Sequence, residues 1–335
     1  MKASTLMKLG SAFLAYRIGK PRLTYAVYCC TARCNLRCGF CDWWKKKGPE
    51  LSTREALRVI ADLVDFGICV LDFSGGEPTL RKDLSVLASE ARDFGVFTIL
   101  STNGTLFDAE RAKELSKSFD VVNVSLDGFR EQHDASRGVP GAYERAMKGL
   151  KFLSERKEAK IGIDLTITRR NLHEIMPLFK QLYGFLDFVS FQPILPYPAP
   201  EGLALKPQEA LNLAEDLLAM KREDPSYVAP LEGYIHLLKY YFSPKYPRIC
   251  DAGVLYAMVD PKGLILACNL CGKSVIGDLT QSSINELWYS EARERAIEAT
   301  SSCLGCLSQC TTMVSLAHRG KVSLLDIKGA FKLKG

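Results

Sequence analysis

Residues 34–41, with the sequence CNLRCGFC, carry three cysteines in the spacing Cys-x3-Cys-x2-Cys. Thiolates this close together in a tight loop face a common centre and do not easily pair as disulfides. A structural zinc ion would need a fourth ligand, such as Cys29 or Cys30, whereas a [4Fe-4S] cluster held by three cysteines keeps one iron open for a small molecule. The loop therefore predicts a metal site, and the spacing alone leaves both occupants open.

The composition indicates an intracellular globular protein. The chain has 335 residues, of which 47% are hydrophobic, and a net charge of +6. This is enough for the packed core of one large domain, alone or with a small one. The twelve cysteines cluster towards both ends, which indicates metal ligands in a reducing compartment. No stretch is typical of a signal peptide or a membrane span, so we expect a cytoplasmic protein, and the modest, dispersed charge predicts no nucleic-acid partner.

From Leu23 onward, short β-rich runs alternate with helical patterns, which predicts βα units and a parallel sheet. The predicted strands are residues 24–28, 70–73, 97–100, 121–124, 161–167 and 188–192. The predicted helices are residues 53–65, 81–92, 109–117, 143–155 and 172–183. Six strands fit an α/β fold with a partial (β/α)6 barrel, which lacks the eight strands of a closed TIM barrel. In such sheets the chemistry collects at the C-terminal strand ends.

Small polar groups follow three of these strands at that edge. The second strand runs into Gly75, Gly76 and Glu77, where glycines let the backbone approach a ligand and a carboxylate can accept hydrogen bonds from an ammonium group. The third and fourth strands run into residues 101–104 (STNG) and 125–128 (SLDG). Turn formation and helix capping would also explain these residue types. Their convergence on one rim nevertheless predicts a site for a polar cofactor.

The three-cysteine loop, the Gly-Gly-Glu-Pro after strand 2 and the polar rim together resemble the radical S-adenosylmethionine (SAM) superfamily over roughly residues 24–195. The resemblance implies that Cys34, Cys38 and Cys41 hold a [4Fe-4S] cluster whose fourth iron is chelated by the amino and carboxylate groups of SAM. Gly75, Gly76 and Glu77 would hold the amino group, and Arg169 or Arg170 the carboxylate. The SAM-binding residues expected by position are Phe40, Gly75, Gly76, Glu77, Ser101, Asn103, Ser125, Asp127 and Arg169.

The resemblance also implies a reaction. An external one-electron donor such as flavodoxin or ferredoxin would reduce the cluster, SAM would be cleaved to a 5′-deoxyadenosyl radical, and the radical would take a hydrogen atom from a substrate. Peptides, lipid-like molecules and tetrapyrroles are among the implied substrate classes, with oxidation or bond formation as the outcome. The alternative from another class is an iron–sulfur electron carrier or scaffold. Glu77 and the rim glycines count against it, because a carrier needs no ammonium-binding loop.

Six further cysteines follow residue 249, namely Cys250, Cys268, Cys271, Cys303, Cys306 and Cys310. A β-hairpin predicted around residues 261–263 brings Cys250 and Cys268 together, and Cys303 and Cys306 add two thiolates, which fits a fully ligated auxiliary [4Fe-4S] cluster or zinc. The region resembles the SPASM domain, or its shorter twitch form. A SPASM domain has seven cysteines and usually two clusters, so six favour one. Cys271 and Cys310 remain open as spare thiols, replacement ligands or half of a second cluster.

The sequence divides into five predicted segments. They are a basic amphipathic segment at 1–22, the radical SAM core at 23–195, a proline-rich linker with helices at 196–249, the auxiliary cluster domain at 250–312 and a basic amphipathic tail at 313–335. Packing against the barrel is the simpler interpretation of both terminal segments. Peripheral contact with a membrane or a lipid-like substrate is the alternative.

Overall fold

The computed structural model describes residues 3–156, 158–195, 202–241, 246–268, 270–272, 274–301, 303 and 305–332. The described strands are β1 Tyr25–Thr31, β2 Val70–Gly75, β3 Phe97–Thr102, β4 Val121–Ser125, β5 Lys160–Ile167, β6 Phe188–Pro193, β7 Tyr256–Val259, β8 Leu264–Leu266 and β9 Val275–Asp278. The helices are α1 Ala3–Arg17, α2 Thr53–Phe66, α3 Leu84–Asp93, α4 Ala109–Ser118, α5 Arg130–Arg137, α6 Ala142–Ser154, α7 Leu172–Leu182, α8 Pro207–Glu223, α9 Glu232–Leu237, α10 Ile284–Trp288, α11 Glu291–Ser301, α12 Gln309–His318 and α13 Leu324–Lys332.

All of these strands form one sheet in the order β6-β5-β4-β3-β2-β1-β7-β8-β9. Strands β1 to β6 pair in parallel, with Tyr28 of β1 opposite Phe73 of β2. Strand β7 also pairs in parallel with β1, and Tyr25 lies opposite Tyr256. Strands β8 and β9 continue the sheet antiparallel. The five parallel crossovers from β1 to β6 place the carboxyl ends of these strands along one rim.

Local sequence explains where the helices begin and end. Helix α2 starts with a capping box in which the Ser52 hydroxyl accepts from the Glu55 backbone N–H and the Glu55 carboxylate accepts from the Ser52 backbone N–H. It ends at Gly67, whose φ of 98° is accessible without strain only to glycine. The helices pack apolar faces onto the sheet, where Phe73 and Phe119 make an edge-to-face contact with ring centroids 5.4 Å apart.

The predicted α/β fold with an open parallel sheet is confirmed. Each of the six predicted core strands is present, and each predicted core helix lies within a few residues of an observed one. Helix α5 and strand β9 were not predicted, and neither was the pairing of β7 with β1, because that pairing depends on a partner distant in the chain. The domain boundaries stay a prediction. The proline-rich start of the linker at 196–201 and the end of the tail at 333–335 lie outside the described residues.

Both terminal helices pack against the rest of the chain. In α1, the Thr5 hydroxyl donates to the Gly95 carbonyl at 2.9 Å, and the Tyr16 ring packs edge-on against His318 of α12. In α13, Asp326 pairs with Lys221 of α8 at 3.2 Å, and both side chains are buried. None of the helices in the described ranges is long and apolar enough to span a bilayer. Peripheral membrane contact stays a prediction.

Candidate active site

The three-cysteine loop follows β1 and is held by backbone bonds to the end of α5. The Arg37 N–H donates to the Arg137 carbonyl at 3.0 Å, and the Gly39 N–H donates to the Ser136 carbonyl at 3.3 Å. Leu36 anchors the loop in a small apolar cluster that also contains Cys38 and Ala142. The loop is therefore held in place by the end of α5 and by this apolar cluster.

Cys34, Cys38 and Cys41 all line one cavity of about 1160 Å³ that extends into the barrel. Burial is the main reason why the pKa of the Cys34 thiol rises to about 11, and charge repulsion from Glu77 and from the Cys38 and Cys41 thiols contributes to this rise. Burial also raises the pKa of Cys41. Three thiols that repel one another as anions fit a polynuclear iron–sulfur group, because bound iron replaces their protons and compensates their charge.

Gly75 and Gly76 let the loop after β2 lie directly on the start of the cysteine loop. The Gly76 N–H donates to the Thr31 carbonyl at 2.8 Å, and the Glu77 N–H donates to the Arg33 carbonyl at 2.7 Å. A Cβ atom on Gly75 would lie 2.4 Å from the Thr31 carbonyl oxygen, and one on Gly76 would lie 2.1 Å from that of Arg33. No larger residue fits at either position without moving the backbone, so these glycines set the spacing between the two loops.

Glu77 lies behind the glycines and does not line the cavity. Its side chain is fully buried, and one carboxylate oxygen accepts from the Thr79 N–H, the Thr79 hydroxyl and the Thr102 hydroxyl. The other accepts from the Asn103 N–H at 2.7 Å. Glu77 thus ties the glycine loop to the end of β3. Its predicted contact with an ammonium group stays a prediction, whereas Gly75 and Gly76 do line the cavity.

The other predicted SAM-binding residues divide into two groups. Phe40, Ser101, Asn103 and Ser125 line the cavity, and the Asn103 amide donates to the side chain of Asn35 in the cysteine loop at 2.8 Å.

Asp127 and Arg169 do not line the cavity. The Asp127 carboxylate is buried and accepts from the Ser136 hydroxyl at 2.6 Å and the Thr166 N–H at 3.0 Å. Arg169 donates to Glu209 of α8 at 3.2 Å, at a partly exposed position. The structure therefore does not bring Arg169 to the site, because its acidic partner draws the side chain towards α8.

Arg137 is a cavity residue that the sequence analysis missed. Its guanidinium pairs with Asp127 at 2.7 Å, lies 4.0 Å from the Cys38 sulfur and covers the Phe40 ring at 5.5 Å from the centroid. Asp127 and the Cys38 thiol raise the pKa of Arg137, which offsets the effect of its burial. The sequence feature that could have indicated this position is Gly138. Its left-handed conformation ends α5 and turns Arg137, the last residue of that helix, towards the cysteine loop.

The structure brings the four predicted auxiliary ligands near one another. The pKa of Cys306 rises to about 12, mainly through burial and in part through charge repulsion from the Cys250, Cys268 and Cys303 thiols. Cys271 lies close to this group, since its thiol raises the pKa of Cys268. Four half-buried thiols with this mutual repulsion fit a second iron–sulfur group, and their assignment as ligands stays a prediction.

Cys310 instead lines the main cavity. Its thiol is hydrogen-bonded to Tyr25, and burial together with the nearby Asp72 carboxylate raises its pKa. The Tyr25 hydroxyl donates to Asp72 at 3.0 Å. Cys310, Tyr25 and Asp72 therefore form a polar group on the cavity wall, and neither Tyr25 nor Asp72 was singled out from the sequence.

Three kinds of comparison relate this chain to known proteins. Residues 28–182 match the model of the Radical SAM superfamily. The Fe-coproporphyrin III synthase of Methanosarcina barkeri is 43% identical over 179 residues, which are 52% of this chain and 44% of that protein. The PqqA peptide cyclase of Bradyrhizobium diazoefficiens is 33% identical over 150 residues, which are 43% of this chain and 39% of that protein. The matched segment thus spans less than half the length of each of these relatives.

Among solved structures, SuiB of Streptococcus suis bound to its precursor peptide SuiA superposes with a TM-score of 0.68. The match covers 88% of this chain and 70% of that chain at 18% identity, so it supports the fold alone. Residues 28–182 belong to the Radical SAM superfamily, and the relatives that the chain resembles support the predicted SPASM-type subgroup.

Proposed function

We propose that the protein cleaves SAM reductively and uses the resulting 5′-deoxyadenosyl radical to remove a hydrogen atom from a substrate in the cavity. The observation that carries the proposal is the junction of the cysteine loop with the glycine loop. Cys34, Cys38 and Cys41 lie beside Gly75 and Gly76, and all five residues line the same cavity. When bound to these thiolates, a [4Fe-4S] cluster supplies the electron that splits SAM.

The chain's own residues bind and orient SAM. The backbone of Gly75 and Gly76, which lines the cavity, accepts hydrogen bonds from the ammonium group of SAM. The Arg137 guanidinium binds the carboxylate of SAM, which is the role that the sequence predicted for Arg169. Ser101, Asn103 and Ser125 offer hydrogen-bonding groups for the ribose or the substrate. These contacts place the reacting atoms and keep water away from them.

A second [4Fe-4S] cluster at Cys250, Cys268, Cys303 and Cys306 would accept an electron from the substrate, which gives net oxidation or bond formation. Alternatively, this cluster would hold the substrate. Tyr256 supports a connection between the two sites. It belongs to the same apolar cluster as Cys250 and Cys268, and its ring stacks on Tyr25 with centroids 6.1 Å apart. The first electron would come from an external donor such as flavodoxin or ferredoxin.

Deoxyadenosine formation tests the proposal. The reconstituted protein, incubated with SAM and dithionite, should produce methionine and 5′-deoxyadenosine without added substrate. A fully reconstituted protein that forms none would favour the alternative, an iron–sulfur electron carrier or scaffold. The rim residues support the enzyme, because a carrier has no need for a polar cavity beside three thiols.

The substrate class is open within this proposal. The relatives include an Fe-coproporphyrin III synthase and a PqqA peptide cyclase, so a tetrapyrrole and a peptide are both represented among their names. A lipid-like substrate would suit the exposed apolar side chains of the terminal helices, such as Leu14, which is 62% exposed.

A further inference from the structure

The cavity wall carries more negative than positive side chains once its ion pairs are counted. Three cationic side chains line the cavity, and each has an acidic partner. Arg137 pairs with Asp127 at 2.7 Å, Arg92 with Asp120 at 3.3 Å and Lys160 with Asp187 at 3.1 Å. Asp72 and Asp164 also line the cavity, and within the described ranges neither forms an ion pair with a lysine or arginine. Asp72 and Asp164 therefore lie outside these ion pairs, and the nearby Arg137 guanidinium offsets only part of the rise that burial causes in the pKa of Asp164.

Asp72 has its hydrogen bonds satisfied by neutral groups. The Tyr25 hydroxyl donates to one carboxylate oxygen at 3.0 Å, and the Ser101 hydroxyl donates to the other at 2.9 Å. The side chain is buried, and this burial raises the pKa of Asp72 to about 6. Asp72 thus contributes negative charge at neutral pH but has little capacity for a further partner.

Asp164 and Asn123 differ from Asp72, because each has one side-chain oxygen that accepts no hydrogen bond within the described residues. The Oδ1 atoms of both side chains are buried, and neither accepts a hydrogen bond from the described part of the chain. Ser190 does bond to the Asp164 carboxyl group, and burial raises the pKa of Asp164 to about 6. A buried acceptor left unpaired is unfavourable, so such atoms call for a donor from outside the chain.

The two side chains lie on adjacent strands and face the same cavity. In the parallel pairing of β4 with β5, Asn123 lies opposite Gly162 and Ser125 lies opposite Asp164. Asn123 and Asp164 are therefore diagonal neighbours on one face of the sheet. Both side chains therefore line the same stretch of the cavity wall.

We propose that the substrate places a cationic N–H group between Asn123 and Asp164, and that the substrate is therefore an amine-bearing peptide and not a polycarboxylate tetrapyrrole. The inference rests on the proposed function only in that the substrate occupies this cavity. A cationic group satisfies both acceptors and compensates the Asp164 charge. The carboxylates of a coproporphyrin would instead face the carboxyl groups of Asp72 and Asp164, which form no ion pair within the described residues.

Binding of matched probes tests this. We would use dansyl-labelled Gly-Lys-Gly amide and Gly-Glu-Gly amide, with binding to the reconstituted protein in the presence of SAM measured by fluorescence anisotropy. Coproporphyrin III would be titrated in parallel by its absorbance. The lysine peptide should bind at least about tenfold more tightly than the glutamate peptide, as expected for one charge-assisted hydrogen bond.

Asp164→Asn should reduce the affinity for the lysine peptide about tenfold, because it removes the charge and keeps the side-chain size. Asp65→Asn, at an exposed position of α2, is the matched control and should change nothing. Thermal melts check that both variants fold. Asp164 forms no ion pair within the described residues, so the variant breaks none and should fold readily.

Three results would overturn the inference. The first is that the glutamate peptide or coproporphyrin III binds as tightly as the lysine peptide, or that the lysine peptide does not bind measurably. The second is a lysine preference that Asp164→Asn leaves intact. The third is a loss of SAM binding in Asp164→Asn, which would assign the acceptor to the cofactor. Failure of the proposed function would look different, since the wild-type protein would then form no deoxyadenosine whichever peptide it binds.

Discussion

The two cysteine-rich regions of the molecule are built in different ways. Cys34, Cys38 and Cys41 come from one short loop, which is fixed by the end of α5 and opens on a large cavity. Cys250, Cys268, Cys303 and Cys306 come from separate segments gathered beside the β7–β8 hairpin. A compact loop with three thiols fits an open iron that binds a ligand, whereas four thiols from distant segments fit a closed site. The predictions below test this contrast.

Removing a ligand from the open site should have the largest effect. We expect Cys38→Ala to abolish deoxyadenosine formation and to lower the iron content by about one cluster, because the remaining two thiols cannot hold it. Iron analysis and liquid chromatography of the SAM products measure this. Cys69→Ser, at a buried position outside both regions, is the control and should keep its iron and activity. Cleavage that persists in the Cys38 variant would contradict the assignment.

The contact between the glycine loop and the cysteine loop should be nearly as sensitive. Gly76→Ala would put a methyl group about 2.1 Å from the Arg33 carbonyl oxygen, so the two loops must move apart. We expect a loss of SAM affinity of about 100-fold, which corresponds to about 3 kcal/mol. Gly39→Ala is the matched control, since a methyl group there meets no atom within 4 Å. Similar SAM affinities for the two variants would show that the close approach is unimportant.

Removing a ligand from the closed site should spare SAM cleavage. We expect Cys268→Ala to lose the auxiliary iron while deoxyadenosine still forms without coupling to substrate. Cys310→Ala should keep the full iron content, because the Cys310 thiol lies in the main cavity beside Tyr25. Iron per chain and the iron–sulfur absorbance distinguish the two variants. Equal iron loss in both would place Cys310 among the cluster ligands.

The smallest effect concerns Asp72, whose carboxyl group lies on the cavity wall. Burial raises the pKa of Asp72 to about 6, so the folded protein binds more protons than the unfolded chain between about pH 4 and 6. The contribution of Asp72 to the free energy of unfolding therefore falls as the pH rises through this range. Asp72→Asn removes the titration, and its stability relative to wild type should rise by about 2 kcal/mol between pH 4.5 and 7.5. Denaturant unfolding of the two proteins at several pH values measures this difference, and a constant difference would contradict it.

Local patterns were sufficient to predict the core. Strands such as Val121–Ser125 are short β-rich runs between amphipathic helices, and the cysteine and glycine loops are continuous in sequence. The missed features depend on partners far along the chain. Arg137 reaches the site because α5 packs under the cysteine loop, Arg169 leaves it because Glu209 of α8 attracts its side chain, and Cys310 enters the cavity through the placement of α12. Apart from Gly138, which follows Arg137, no local pattern indicates these long-range positions.

The pairing of β7 with β1 has a consequence for biosynthesis. β1 leads directly into the cysteine loop, but one of its edges is covered only by Tyr256–Val259, in the last quarter of the chain. During translation that edge has unpaired peptide groups and can associate with other strands. The nascent barrel therefore exposes this edge until the ribosome has completed the C-terminal region. Truncation before residue 256 should accordingly give an aggregation-prone product, even though every residue predicted to contact SAM would be present.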